Sequence, residues 1–424
     1  MYLRDAPGRI LLGLLLVLGG AGAQKPILKL AADGSFKIAM FCDLHYGESI
    51  QKDFLSDRFQ RTLLGLETPS LVVIDGDASS NYFAPSCALL PQVCKDWFLV
   101  RWRQFTAPME QLQVPYAYTL GNHDRIPGIA GRAERSADPG NETEYMVPDH
   151  WIMQQDMTNL HSLTVDGPSD IHGASNYVVP ILGSDGKPAA YVWLLDSSDD
   201  HCLGKTGWGC VYPDQVKWFR DTAKRLKEED GRVVPGIMFH HIPLDEVNTA
   251  WNNLSIEING SRGEPVCCAS VNTGLFDAIL EAGNIWGVFH GHDHNNDFVA
   301  LYKGVHLGFG RKSGYGGYGG DVASQRGSRI FELRQGADGT VSWETWIREE
   351  AGARVEQQKL SFRLPGPAAC CGTIELNQEY ISGLFERRLE EGSSSLEEDR
   401  RACRAQDDAG ACRRAAGQEQ AISV

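Results

Sequence analysis

The chain is 424 residues long, 42% hydrophobic and 22% charged, with a formal net charge of −15 at pH 7. That length holds one large domain or two ordinary ones. So acidic a protein has no broad positive field for nucleic acid or an anionic membrane, which excludes a nucleic-acid binding surface and leaves any anionic ligand to be attracted locally, by bound cations.

The first residues read as an export signal: Arg4 and Arg9 precede the apolar run 10–18, and Ala21-Gly22-Ala23 offers small residues for cleavage before Gln24. The run is too short to span a bilayer, and no later stretch is long and apolar enough to do so. Residues 1–23 are therefore expected to leave, and the mature chain to reside in the secretory lumen, the vacuole included, or outside the cell. Sequons at Asn141, Asn253 and Asn259 fit a glycoprotein of that route. So do the 11 cysteines, read as structural disulfides. Cys87 with Cys94 and Cys202 with Cys210 are spaced for local loops, while the neighbours Cys267-Cys268 and Cys370-Cys371 are expected to pair with other cysteines. The odd count leaves at least one cysteine without a partner in the chain, and Cys42, inside an apolar strand, is the candidate.

Strands are predicted at 36–42, 71–74, 115–120, 177–182, 191–195, 233–239 and 285–290, followed by a run at 298–301, 306–309, 329–333 and 341–347. Helices are predicted at 97–111, 213–229 and 274–282, with Pro213 suited to a first turn and Gly231 to a stop. Strand and helix in alternation, ending in a run of strands, predict an α/β fold of two mixed β-sheets packed as a sandwich with flanking helices. The glycine-rich stretch 314–320 reads as a mobile loop near the strand ends, because the helix that a phosphate-cradling loop requires does not follow it. Past about residue 365 the composition shifts to Arg and Glu, and 366–424 is expected to be a charged appendage, partly helical or disordered.

The chemistry gathers where strands end. The first strand runs into Asp43 and His45, the second into Asp77, and the third into Asn122, His123 and Asp124; the strand at 233–239 runs into His240-His241 and that at 285–290 into Gly291-His292-Asp293-His294. The carboxyl edge of the strands is where α/β sheets form sites. Each motif alone reads as a turn or a capped loop. Five in order do not, because burying so many charges without cations is costly. Carboxylates, an amide oxygen and imidazoles without thiolates suit two divalent or mixed-valence metal ions, iron, zinc or manganese. Such a pair, roughly 3.5–4 Å apart, makes a bridging water acidic and clamps a phosphoryl centre during in-line displacement.

Asp43-Leu44-His45, Gly76-Asp77, Gly121-Asn122-His123-Asp124, His241-Ile242-Pro243 and Gly291-His292-Asp293-His294 together resemble the calcineurin-like metallophosphoesterases, over about 36–310. Flanking text such as FHHIPL, WLLDSSD and DQVKWF resembles the plant and fungal phosphatases grouped with the purple acid phosphatases. The resemblance implies a catalytic domain over 24–365 with the αββα metallophosphoesterase fold. It implies that Asp43, His45 and His294 bind one ion, that Asn122, His241 and His292 bind the other, and that Asp77 bridges them. It further implies that His123 contacts the phosphate and stabilises or protonates the leaving group, with Asp124 orienting it, and that His240 either supports the ligands or belongs to the core; His290, facing back along its strand, reads as structural. One departure stands out: purple enzymes carry a tyrosine three residues past the bridging aspartate, where this chain has Ser80. The expected activity is hydrolysis of a small phosphate monoester, with phosphodiesters or nucleotide pyrophosphates as the alternative substrates of the same site. A non-catalytic binding module would be expected to lose ligands, and this chain keeps every one.

Overall fold

The computed structural model describes residues 24–84, 91–127 and 145–371. The predicted export signal, Cys87, the sequon at Asn141 and nearly all of 366–424 lie outside the described residues. In chain order the elements are β1 (Ser35–Phe41), α1 (Ile50–Glu67), β2 (Leu71–Asp75), α2 (Pro91–Leu112), β3 (Tyr116–Thr119), β4 (Ile126–Pro127), β5 (Tyr145–Val147), α3 (Asp149–Asp156), β6 (Tyr177–Leu182), β7 (Pro188–Leu194), α4 (Pro213–Asp230), β8 (Gly236–Phe239), α5 (Asp245–Asn252), β9 (Ile258–Asn259), α6 (Leu275–Ala282), β10 (Ile285–His290), β11 (Val299–Tyr302), β12 (Val305–Phe309), β13 (Gly327–Gln335), β14 (Val341–Glu349) and β15 (Arg354–Val355).

Two mixed sheets result, ordered β15-β14-β13-β1-β2-β3 and β6-β7-β8-β10-β12-β11-β9. Strands β1, β2 and β3 run parallel in the first, and β7, β8, β10 and β12 in the second. Their apolar faces meet directly: Phe331 of β13 lies edge-on to Phe239 of β8 and Phe289 of β10, with ring centroids 5.5 and 4.6 Å apart. The outer face of the second sheet is covered by apolar residues of α4, α5 and α6, and that of the first by α1 and α2. The result is the predicted sandwich of helix, sheet, sheet and helix. Among the described residues no helix is long and apolar enough to cross a membrane.

Helix α1 escaped the apolar pattern for a physical reason. It buries Asp53, Ser56, Gln60 and Glu67 beside Phe59, Leu63 and Leu64, while Ile50 and Phe54 face solvent. Buried polar side chains are generally hydrogen-bonded, and each of these has at least one partner. Asp53 accepts from the Gly47 N–H, Ser56 from the Tyr315 N–H, and Glu67 from Lys37 and the Trp346 indole, while Gln60 donates to the Tyr46 hydroxyl. The short helices α3 and α5 also lack a predicted counterpart; unlike α6, each includes a polar residue, Asp156 or Asn248, in its buried face.

The folded body continues past Pro365. Residues 359–360 pair with β9 and 363–368 run along α5, where Asn248 Nδ2 donates to the Pro367 and Ala368 carbonyls, before the disulfides Cys268–Cys370 and Cys267–Cys371. The pairing of each neighbour with a distant cysteine, the Cys202–Cys210 loop and the buried free thiol of Cys42 match the sequence-based expectations.

Candidate metal centre

The parallel strands of both sheets deliver their carboxyl ends to one edge, and the chain turns sharply as it leaves them. Of the ten described non-glycine residues with positive φ, four are predicted ligands: Asp43 (55°), His45 (50°), Asp77 (49°) and His292 (71°). Left-handed backbone is unfavourable for side chains with a Cβ, and its concentration here marks loops bent to aim ligands inward. The two loops brace each other, with the His45 N–H donating to the Asp77 carbonyl at 2.8 Å. Gly121 is required where the third loop crosses, since a Cβ there would lie 2.3 Å from Asp77 Oδ1.

All seven predicted ligands are buried and brought together. Asp43, His45 and His294 offer atoms within 4.8 Å of one another, and so do Asp77, His241 and His292. In the first group His294 Nε2 lies 3.3 Å from Asp43 Oδ1 and 3.2 Å from His45 Nε2. In the second, His241 Nε2 lies 3.1 Å from Asp77 Oδ2, and Asn122 Oδ1 is 2.9 Å from His292 Nδ1. Asp77 Oδ2 is also 3.6 Å from His45 Nε2, so this carboxylate stands between the two groups. Backbone acceptors fix the rings: His241 Nδ1 donates to the Asp75 carbonyl at 2.8 Å and His294 Nδ1 to the Tyr318 carbonyl at 2.7 Å, which leaves each Nε2 for an ion. Buried imidazole nitrogens facing each other and two carboxylates are what a pair of cations would satisfy, and the donor set of oxygen and nitrogen fits iron, zinc or manganese.

The charges agree. Burial would raise the Asp77 carboxyl, but His241 and His123 outweigh it and hold it down at about 2. Burial would lower His241, but Asp77, Asp43 and Asp75 outweigh it and push it up to about 10. Burial, with the His241 charge adding to it, pushes His292 down to about 3. The His241 imidazolium thus offsets part of the acidic charge of the centre, and Lys312 adds a buried ammonium that donates to the Asp43 carbonyl at 3.0 Å.

His123 sits at the less buried side, with Nε2 3.9 Å from Asp77 Oδ2 and its N–H donating to Asp77 Oδ1 at 2.7 Å. Asp124, which the resemblance implied to orient His123, is fully buried beside it. The Asp124 oxygens accept from the Ser79 and Gly121 N–H groups at 2.8 and 2.9 Å, which braces the loop, while Asn81 Oδ1 lies 3.1 Å from His123 Nδ1 and the His45 ring lies edge-on to the His123 ring at 5.0 Å. His240 and His290 pack ring against ring at 4.4 Å, donating from Nδ1 to the carbonyls of Ile242 and His240.

Sequence reasoning also missed the walls. The glycine-rich loop, expected to be mobile, packs across the centre: a Cβ on Gly316 would lie 2.1 Å from the His45 carbonyl oxygen, and the Tyr318 ring stacks on His294 at 3.9 Å. Opposite, the Cys202–Cys210 loop sets Trp208 edge-on to His292 at 4.4 Å, and Ser270 holds the Trp208 carbonyl with its N–H and hydroxyl. Each contact joins segments far apart in the chain, so no local pattern signals it.

A family description, calcineurin-like phosphoesterase, matches residues 36–296. Among curated proteins the chain is similar to "Probable inactive purple acid phosphatase 14" of Arabidopsis thaliana, 29% identical over 355 residues, 76% of this chain and 82% of the relative. It is also similar to "Phosphatase DCR2" of Saccharomyces cerevisiae, 26% identical over 76% of this chain and 55% of the relative. Among solved structures, a dimetal phosphatase from Danio rerio aligns with a TM-score of 0.42 at 13% identity, over 76% of this chain and 98% of that one. With its motifs spread along the matched span and their side chains converging on one buried centre, the chain belongs to the calcineurin-like phosphoesterase family.

Proposed function

We propose that the protein is a metal-dependent hydrolase of small phosphate monoesters, acting in the secretory lumen or outside the cell as a disulfide-bonded glycoprotein. The observation that carries the reading is the position of Asp77, whose Oδ2 lies 3.1 Å from one imidazole of the second ligand group and 3.6 Å from one of the first. Asp43, His45 and His294 would hold one ion, Asn122, His241 and His292 the other, and Asp77 both. When bound, the ions supply an activated water and neutralise charge on the phosphoryl oxygens.

The chain's own residues do the rest. His123, at the open side, is placed to donate a proton to the departing oxygen. Trp208 and the glycine-rich loop wall the centre and limit its solvation, which strengthens every interaction inside. Some relatives carry "inactive" in their names; activity in this chain is supported by its retention of all seven ligand positions and His123. Metal analysis of the purified protein beside hydrolysis of p-nitrophenyl phosphate and its bis-ester tests the reading. Two ions per chain and faster monoester turnover are expected. Faster bis-ester turnover would move the assignment to phosphodiesters, and a metal-loaded protein that hydrolyses neither would overturn it.

A further inference from the structure

We propose that Asn81 is a positioning residue that fixes Nδ1 as the donor nitrogen of His123 and so reserves Nε2 for the substrate. The inference rests on the hydrolase reading above and deepens it. Asn81 Nδ2 lies 2.7 Å from the carbonyl oxygen of Arg125, which can only accept, so the amide orientation is determined. Its Oδ1, facing His123 Nδ1 at 3.1 Å, must then accept in turn, and Nδ1 carries the proton. A third bond, from the Asn81 N–H to the His123 carbonyl at 3.1 Å, ties the two residues at the backbone. The Arg125 that anchors the amide is itself held by Asp149 and Asp196, at 2.7 and 2.6 Å, so the reference point is rigid.

The consequence concerns the proton at Nε2, the nitrogen nearer the centre. With Nδ1–H held on Asn81, Nε2 is the nitrogen that can present a proton to the leaving oxygen. When the phosphorus–oxygen bond breaks, its electron pair stays on the leaving oxygen and takes that proton. The neutral ring left behind is the Nδ1–H tautomer, the one Asn81 already binds. No tautomer shift is needed within the cycle. An amide, unlike a carboxylate, does this without adding charge beside Asp77 and Asp124.

Two measurements test this. In the zinc-loaded protein with 15N-labelled histidine, the neutral His123 ring, assigned by its loss in His123→Gln, should be protonated at Nδ1; Asn81→Ala should populate both tautomers and Asn81→Asp retain one. In kinetics, Asn81→Ala should lower kcat for an alkyl phosphate by about 10- to 100-fold, the scale of a misplaced proton donor. It should lower kcat for p-nitrophenyl phosphate, whose leaving group needs no proton, by less than about threefold, with KM little changed. A wild-type ring protonated at Nε2, or equal losses across leaving groups, would overturn the proposal. If the wild-type protein hydrolyses no ester, the hydrolase reading fails while the tautomer measurement still decides the role of Asn81, and it does so on wild-type protein even if Asn81→Ala does not fold.

Discussion

Asn122 Oδ1 and His292 Nδ1 lie 2.9 Å apart although 170 residues separate them. One arrives from the first sheet and the other from the second, so the centre exists only when both sheets are packed face to face. Ligand geometry and global fold are therefore coupled.

The coupling makes Asp77 the position to remove first. Asp77→Asn keeps the shape and an oxygen for the His123 N–H but loses the charge shared by both ligand groups. Turnover should fall by about 1,000-fold or more, by the logic of a lost bridging ligand. Metal content should drop below two ions while the melting temperature of chelated protein shifts by only a few degrees, about 1 kcal/mol in a chain this size. Elemental analysis and a thermal melt check it, and full activity with two ions retained removes the bridging assignment.

Metal uptake should release protons. His241, raised from 6.5 to about 10, is an imidazolium in the metal-free centre at pH 7.5, and a ligand must be neutral. Apparent affinity should therefore rise about tenfold per pH unit through the neutral range and level off near pH 10. The sign for stability is the reverse. What His241 contributes to the metal-free fold is fully present below pH 6.5 and lost as pH rises through about 10. Calorimetric titration in buffers of different ionisation enthalpy reads the released proton, and uptake without release at pH 7.5 contradicts the assignment.

Iron-loaded protein should be colourless in the visible range. The tyrosinate position of the purple enzymes holds Ser80, whose hydroxyl donates to Glu48 at 3.1 Å, and nearby Tyr46 is buried with its hydroxyl accepting from Gln60. An intense charge-transfer band in the visible spectrum would show that another phenolate reaches the centre.

The paired disulfides should be strongly non-additive. Cys267–Cys371 and Cys268–Cys370 close loops of sequence separation 104 and 102, nearly the same ring. Removing one by Ser substitution should cost about 1 kcal/mol or less, because the other still closes it; removing both should cost about 4 kcal/mol. The double removal should also weaken metal retention, since the Cys267 N–H donates to Asp293 between His292 and His294. Urea unfolding of the three variants, with metal content of each, checks the pattern.

Much of this was legible in the sequence because strand and ligand are local to each other: an apolar run followed by His or Asp shows both the sheet and the site edge. The convergence of the seven candidate ligands was readable on that ground, and Cys42 and the long helix α4 from their own apolar patterns. Helix α1 was not, since its buried face is written in Asp53, Ser56, Gln60 and Glu67, whose partners come from elsewhere. Nor were Asn81, Trp208 and Tyr318, whose meaning arises only where the chain crosses itself. For Asp124 the residue was legible from its motif, while its bonds from the Ser79 and Gly121 N–H groups were not.

The bent backbone at Asp43, His45, Asp77 and His292 carries a consequence for engineering. A residue with a Cβ held in that conformation costs roughly 1–2 kcal/mol, and four of them are borne by the fold whether or not a cation is present. Glycine at 45 would relieve one such burden, so a catalytically crippled protein could outlast its parent on heating. Screens that select for thermal robustness alone would therefore drift toward dead variants, and any such campaign needs turnover as a second criterion.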